Sequence, residues 1–171
     1  LGHRFLTNAL VEVNNFADYK RSLETGRVLI DPDERCARIK EDIETLSSQQ
    51  GLSMIEDTAL LNEVAGLVEW PVVLMGSIDE DFMDVPPEIL KTTMRKNQKY
   101  FSLKTKSGEL ASRFIVVANK ETPDGGDAII RGNERVLRAR LSDAKFFWEQ
   151  DRRQSLASRV PQLKYIKFHN K

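Results

Sequence analysis

The sequence predicts an α+β domain in which helices pack against a mixed, largely antiparallel sheet. Segments with the 3.6-residue apolar period of helices lie between β-rich segments, without the regular alternation of βαβ units. Two strand-like segments, 99–104 and 113–119, flank a Lys106-Ser107-Gly108 turn, which is typical of a hairpin. A chain of 171 residues, 40% of them hydrophobic, can bury one core, so we expect a single domain over residues 1–171.

The first half of the chain is predicted to contain two strands and three helices. Asp31 suits an N-cap and Pro32 the first helical position, and the apolar stripe of that helix ends before Gly51. A later helix must stop before Trp70, because a residue that precedes proline avoids helical geometry. The predicted elements are a short strand near residues 4–13, a helix over 16–25, a strand over 27–30, and helices over 32–50 and 57–69.

The second half contains three predicted strands and two helices. Residues 71–78 form a continuous β-rich run that is typical of a buried strand, and Pro86 and Pro87 begin a short helix that reaches about Arg95. After the hairpin and a loop at 123–127, a long helix is expected over 132–153. Residues 159–171 are predicted to be an exit segment toward a missing following domain. The first residue is Leu1 rather than Met, which also favours a fragment of a longer polypeptide.

The long C-terminal helix separates apolar from basic side chains. At 100° per residue, Leu137, Leu141, Ala144 and Trp148 fall on one line, which predicts a buried stripe. Four arginines project from another side, and we call them the basic ridge: Arg131, Arg135, Arg138 and Arg153. Exposed arginines at helical spacing can bind the phosphates of RNA, so the ridge is a candidate RNA-binding surface.

Two residues of this helix depart from the pattern. Arg140 lies between Val136 and Phe147, where a guanidinium needs a partner, and Asp143 could supply it. A structural ion pair between Arg140 and Asp143 is therefore expected, with an RNA contact as the alternative. Phe146 lies on the face of Arg135, where it could pack on another domain or stack on a base.

Charge is distributed unevenly along a chain whose total is zero. Residues 1–90 hold 7 Lys and Arg against 18 Asp and Glu, whereas residues 91–171 hold 19 against 8. The basic half could therefore face a polyanion. The alternative is that the two halves neutralise each other within the fold.

Within the basic half, residues 91–106 combine six cations with two aromatic residues and have no acidic residue. This pattern makes Lys96 and Lys99 further candidates for RNA binding. The same pattern arises when a strand buries Tyr100 and Phe101 beneath exposed lysines.

The chain lacks the motifs of known catalytic and metal centres. The single cysteine, Cys36, lies in a helical apolar stripe, and neither His3 nor His169 has the spacing of a metal ligand. There is no nucleophile elbow and no phosphate-binding loop. We expect no catalytic residue and no metal. Because no apolar run approaches about 18 residues and no signal peptide opens the chain, we also expect a cytoplasmic protein that contacts no membrane.

Several segments, in order, resemble one family. They are LVEWPVVLMG at 67–76, VPPEIL at 85–90, NQKYF at 97–101, GNERVLRARL at 132–141 and AKFFWEQDR at 144–152. Together they are similar to the β subunit of bacterial heterotetrameric glycyl-tRNA synthetase, over most of the chain from about Glu63 to Arg152. The opening residues 2–5 and the segment 27–40 are similar more loosely.

The resemblance implies a fragment from the N-terminal half of that subunit, with a fold similar to the B3/B4 module of the phenylalanyl-tRNA synthetase β subunit. In this family the α subunit carries the class II active site, which uses ATP with magnesium, and the β subunit binds tRNA(Gly). The implied partners are the α subunit, the remaining β-subunit domains and tRNA(Gly). No cofactor is implied for this fragment, which alone would be inactive.

Three functions remain open at this point. The first is a noncatalytic tRNA-handling and structural domain of the synthetase, with the basic ridge against RNA or a neighbouring domain. The second is an editing-type deacylase, which would need a pocket with convergent polar groups. The third is an interdomain scaffold without RNA contact.

Overall fold

A four-stranded antiparallel sheet forms the centre of the structure, a computed structural model that describes residues 1–7 and 10–165. Its strands lie in the order β1-β3-β4-β2, and every pairing between them is antiparallel. The strands are β1 (Ser53–Met54), β2 (Val72–Ser77), β3 (Phe101–Lys104) and β4 (Leu110–Ala118). The predicted α+β class and the antiparallel sheet are confirmed. The similarity to the B3/B4 module and the assignment of residues 1–171 to one domain stay predictions.

Six α-helices accompany the sheet in the described part of the chain: α1 (Phe16–Thr25), α2 (Pro32–Ser48), α3 (Thr58–Leu67), α4 (Pro87–Thr93), α5 (Asp127–Arg153) and α6 (Leu156–Arg159). A π-helical turn, Met94–Gln98, extends α4. The side chain of Asp31 accepts a hydrogen bond from the amide of Asp33 at 2.9 Å, and that of Asp57 accepts one from Leu60 at 2.9 Å. These caps explain why α2 and α3 begin where the sequence predicts.

The sheet carries a core on each face. On one face, Phe101, Leu103, Ala111 and Ile115 pack against α2 and α3. On the other face, Phe114 and Tyr100 pack against α4 and α5. The side chains of a strand alternate between faces, so β4 contributes Ile115 to one core and Phe114 to the other. The long helix α5 is thereby fixed to the sheet by the second core.

Both strands predicted near the N-terminus are wrong in the described residues. The amides of Leu6 and Thr7 donate to the carbonyl of His3, so the chain turns there instead of extending; residues 8–9 of the predicted strand lie outside the described residues. Residues 27–30 are not a strand either. The guanidinium of Arg35 donates to the carbonyls of Leu29 and Ile30, which a neighbouring strand would otherwise bind, and to that of Ala65 in α3.

The N-terminal segment is attached to the far end of β4. His3 is fully buried, and its Nε2 lies 2.7 Å from the carbonyl oxygen of Asn119. The side-chain oxygen of Asn119 also accepts hydrogen bonds from the amides of Glu69 (2.6 Å) and Trp70 (3.2 Å). One asparagine therefore joins the N-terminal segment, the α3–β2 connection and the end of β4.

Helix α5 begins at Asp127, five residues earlier than the sequence predicts. Asp124 accepts hydrogen bonds from the amides of Gly126 (3.2 Å) and Ala128 (2.9 Å), which satisfies the first turn. Gly126 has φ +94°, and a Cβ there would lie 2.6 Å from a methyl group of Leu74. The glycine is therefore required both by the backbone and by the packing on β2.

The predicted exit segment is partly described. Residues 160–165 form a 3-10 helix after α6, and most of their side chains are exposed. Asp151 at the end of α5 pairs with Arg159 at 3.2 Å. Residues 166–171 lie outside the described residues, so the connection to a following domain is not tested.

Candidate nucleic-acid interface

Helix α5 is held on the sheet by an apolar stripe and by one carboxylate. Leu137 and Leu141 are each 1% exposed, and Trp148 packs against the same core. Glu134 accepts hydrogen bonds from the amide (2.8 Å) and the hydroxyl (2.6 Å) of Ser77 in β2. The rotation of α5 about its axis is therefore fixed, and the other side chains of the helix project in defined directions.

The N-terminus of α5 is occupied by a side chain of the protein. The carboxylate of Asp124 accepts from the Thr122 hydroxyl and from the backbone amides of Ala128 and Gly126, and these hydrogen bonds lower its pKa to about 2. The positive end of the helix dipole is thus already paired. We therefore place the candidate interface on the side of α5.

Three arginines of the basic ridge line one cleft on the side of α5. The cleft is an open groove between side chains of α5 itself, with a volume of about 500 Å³, and Arg131, Arg135 and Arg138 line it. Its other lining residues are Ala128, Gly132 and Glu134. A guanidinium donates two parallel hydrogen bonds to a phosphate, so a cleft lined by arginines suits a polyanion.

The three arginines of the cleft differ in how far they are neutralised. Arg131 pairs with Asp127 at 3.0 Å, and Arg138 binds the carboxylate of Asp79 through two nitrogens. The Arg138 guanidinium holds the pKa of Asp79 below its usual range. Arg135 is exposed and, within residues 1–7 and 10–165, has no carboxylate within 4.0 Å. Arg135 is therefore the residue of this cleft that is most available to a phosphate.

The remaining candidates are dispersed. Arg153 ends α5 and is exposed, about 27 Å along the helix from Arg135 at 1.5 Å per residue. Lys96 is exposed in the π-helical turn after α4. Lys99 pairs with Glu63 at 2.7 Å. The structure thus brings three of the six candidates together, Arg131, Arg135 and Arg138, and places the others elsewhere on the surface.

The ion pair expected between Arg140 and Asp143 is not formed. Both side chains are exposed, and the two are not within ion-pair distance in the described structure. The expectation rested on a buried position between Val136 and Phe147, but these residues are 42% and 63% exposed. Because this side of α5 faces outward, Arg140 needs no internal partner.

Carboxylates that are distant in sequence neutralise part of the basic half. Among the described residues, four ion pairs join an acid before residue 91 to a base after it: Asp57 with Arg95, Glu63 with Lys99, Asp79 with Arg138, and Asp84 with Lys145. The acidic run at 79–84 binds α5. Lys145 donates to Asp84 at 2.8 Å and also to the carbonyl of Asp81, and its hydrogen bond to Asp84 lowers the pKa of that carboxyl.

Sequence reasoning therefore identified the arginines of α5 but missed their acidic partners. The opposite charges of residues 79–84 and of α5 were visible, but their separation of about 60 residues gave no indication of contact.

The described residues contain no group of three or more His, Cys, Asp or Glu side chains arranged to hold a metal ion. The two buried polar residues, His3 and Ser47, both bond to backbone groups. Cys36 is a free thiol at the edge of the first core, as the sequence predicts. Within residues 1–7 and 10–165, no helix is long and apolar enough to span a membrane.

Comparison with known proteins identifies the family. The model of the family described as glycyl-tRNA synthetase beta subunit matches residues 1–171. The glycine–tRNA ligase beta subunit of Rhodospirillum centenum is 55% identical over 170 residues, which cover 99% of this chain and 24% of that protein. The protein of the same name from Dinoroseobacter shibae is 49% identical over 99% of this chain and 24% of its own length. That from Neisseria meningitidis serogroup C is 48% identical over 100% of this chain and 25% of its own length.

The chain spans about a quarter of the length of these curated relatives. The match nevertheless includes every residue of the chain, including the ridge on α5 and the acidic loop that binds it. The resemblance found in the sequence segments is thereby confirmed. This chain belongs to the glycyl-tRNA synthetase β-subunit family.

Proposed function

We propose that the chain is a noncatalytic tRNA-handling and structural domain of glycyl-tRNA synthetase. In this proposal it works in the cytoplasm as part of a longer β subunit, whose partner α subunit carries the active site with ATP and magnesium. Relatives named glycine–tRNA ligase beta subunit support the parent enzyme. The observation that carries the tRNA-handling role is Arg135, an exposed cation in a cleft lined by two further arginines.

The geometry of the cleft favours a backbone contact over base recognition. Phosphate contacts from arginine position an RNA without reading its sequence. Asp127 and Asp79 hold Arg131 and Arg138 in place, but their negative charges offset the attraction of these two arginines for a phosphate. Because Arg135 has no such ion pair in the described structure, it is expected to contribute most of the electrostatic attraction in this cleft.

A noncatalytic role agrees with the chemistry of the described residues. Their buried polar side chains are engaged with backbone groups, and their carboxylates with lowered pKa are capping or ion-pairing residues. We therefore propose that this domain leaves both adenylate formation and deacylation to other parts of the enzyme. Purified β subunit without the α subunit should form no glycyl-adenylate from ATP and glycine.

The test is Arg135→Gln in the complete synthetase, with tRNA(Gly) affinity measured over a range of salt concentrations. Loss of one phosphate contact should weaken binding and flatten the plot of log K against log salt by roughly 0.7–0.9. Arg21→Gln is the matched control, because Arg21 is an exposed arginine on α1, away from the cleft.

Both variants should unfold at the wild-type temperature, since exposed arginines contribute little to stability. An Arg135→Gln enzyme with unchanged affinity and unchanged salt slope would remove the cleft as an RNA surface. The domain would then be a scaffold.

A further inference from the structure

Helix α5 carries a second stripe on the side that faces away from the sheet. At 100° per residue its members fall within an arc of about 100° opposite the buried Leu141. We call it the outer stripe, and its residues are Gly132, Val136, Ala139, Asp143, Phe146, Phe147 and Gln150. Val136, Phe146 and Phe147 are 42%, 55% and 63% exposed. Most of this surface is apolar and has no partner in the described structure.

The outer stripe changes in shape along its length. At one end is Gly132, where an added Cβ would have no atom within 4 Å, and the small Ala139 lies near the middle. At the other end Phe146 and Phe147 form a projecting edge-to-face pair, with ring centroids 5.5 Å apart. The eighteen steps from Gly132 to Gln150 extend over about 27 Å at 1.5 Å per residue. Small residues let a second helix approach closely, and the two rings give it a place to anchor.

We propose that the outer stripe docks an α-helix that belongs to the part of the β subunit outside this chain. The inference rests on the proposed membership of a longer subunit, but it does not depend on RNA binding. The curated relatives are about four times as long as the matched region, so such a subunit has ample chain to supply the helix. A helix tethered in the same polypeptide is present at high effective concentration.

Charge defines the chemistry of this helix. Arg135 and Arg153 lie along one edge of the outer stripe, and Arg140 lies along the other. A second copy of α5 would place arginines against arginines, which opposes self-association. The partner helix is therefore mainly apolar along its centre, with a hydrogen-bond donor opposite Asp143 and with Asp or Glu opposite Arg140 and Arg153, while Arg135 stays free for the RNA contact proposed above. RNA fits this face less well, because phosphates would meet the arginines but leave Val136 and Phe147 exposed to water.

The test measures solvent access at the centre of the outer stripe in the complete synthetase. A thiol introduced by Ala139→Cys is labelled with N-ethylmaleimide, and its rate is followed by mass spectrometry of the peptide that carries it. Ser107→Cys is the control, because Ser107 is exposed in the β3–β4 turn. We expect the thiol at position 139 to react at least about tenfold more slowly than the control, and at the same rate in denaturant.

Further arms identify the occupant. Slow labelling at position 139 that persists without tRNA and at every protein concentration supports the tethered helix. In that case Arg140→Glu should make the labelling faster, whereas the control Arg21→Glu should leave its rate unchanged. Equal labelling rates at positions 139 and 107 would overturn the proposal. Protection that appears only with tRNA would assign the face to RNA, and protection lost on dilution would assign it to a second copy; each result also overturns the helix. Because tRNA affinity of Arg135→Gln is measured separately, failure of one proposal is distinguishable from failure of the other.

Discussion

Replacing Gly76 by alanine tests how tightly the second core is packed. Gly76 in β2 lies directly opposite Phe114 in β4, and the ring of Phe114 covers it. A Cβ at position 76 would lie 2.5 Å from Cζ and 2.6 Å from Cε1 of this ring, far inside van der Waals contact. The ring is fully buried and stacks on Tyr100 with centroids 4.6 Å apart. It therefore cannot move without displacing a second buried ring.

The expected cost follows from two opposing effects. Overpacking a core costs about 1–3 kcal/mol, and the immobile ring places this site toward the upper end. Removing a glycine from the unfolded chain returns about 0.4–1 kcal/mol. The net destabilisation of Gly76→Ala is thus about 2 kcal/mol, which lowers the melting temperature by about 4–8 °C in a domain of this size.

Urea unfolding followed by circular dichroism measures this cost. Gly66→Ala is the matched control, since Gly66 lies in α3 with no atom within 4 Å of an added Cβ, and it should stabilise the chain by up to about 1 kcal/mol. Adding Phe114→Leu to Gly76→Ala should relieve the clash, so the double variant loses less than the sum of the single variants. A Gly76→Ala cost below about 0.5 kcal/mol, or strictly additive losses, would refute the packing argument.

Three further predictions concern single side chains. Arg35→Met should destabilise the chain by about 3 kcal/mol in urea unfolding, because three backbone carbonyls lose a charged donor. Arg35→Lys should restore little of this stability, since an ammonium cannot reach all three carbonyls. An Arg35→Met variant that unfolds at the wild-type urea concentration would contradict this role. The pKa of Asp124 is about 2 in the folded chain against an ordinary value of 3.8, so the stability that its carboxylate gives to the fold is complete above pH 4 and is lost as the pH falls toward 2. Asp124→Asn should make the free energy of unfolding less dependent on acid, and an unchanged pH dependence would exclude this cap as its source. Burial raises the pKa of Tyr100 to about 12, so one of the three tyrosines should ionise near pH 12 in an ultraviolet titration, and the stability linked to its protonated form should be lost between pH 10 and 12. This high-pH step should be absent from Tyr100→Phe, and its presence there would assign it to another tyrosine.

Local signals in the sequence were enough to predict most helices and the central hairpin. Asp31 caps α2 as the sequence predicts, α3 begins one residue after its predicted start at Asp57, and the turn at 106–108 joins β3 to β4. These features depend on residues close in sequence, so they can be read from a short window. The N-terminal strands failed because particular side-chain contacts, which no residue pattern indicates, decide the backbone there. Arg35 binds the carbonyls of Leu29 and Ile30, only six and five residues away, but nothing in the sequence shows that its guanidinium turns back onto them.

The sequence was enough to predict which arginines line the candidate site, but not which of them pair with carboxylates. Helical periodicity placed Arg131, Arg135 and Arg138 on one side of α5, and the structure brings them to one cleft. It could not show that Asp79 would bind Arg138, because that contact joins residues 59 positions apart. Helical periodicity also placed Arg140 in a buried environment. Periodicity gives the direction in which a side chain points, but it does not show whether other parts of the protein cover that side of the helix.

The hydrogen bonds at Asn119 have a consequence for the order of folding. His3 and Asn119 are 116 residues apart in sequence, whereas the turn between β3 and β4 closes within a few residues. Contacts with such large separation form after local ones, because the loop between them must first be shortened by other structure. Asn119 reaches its position only when β4 has paired with β2, and its side chain then fixes the α3–β2 connection. The segment around His3 is synthesised before Asn119 but is expected to be among the last parts of this chain to become ordered, and its docking marks the completion of the native sheet.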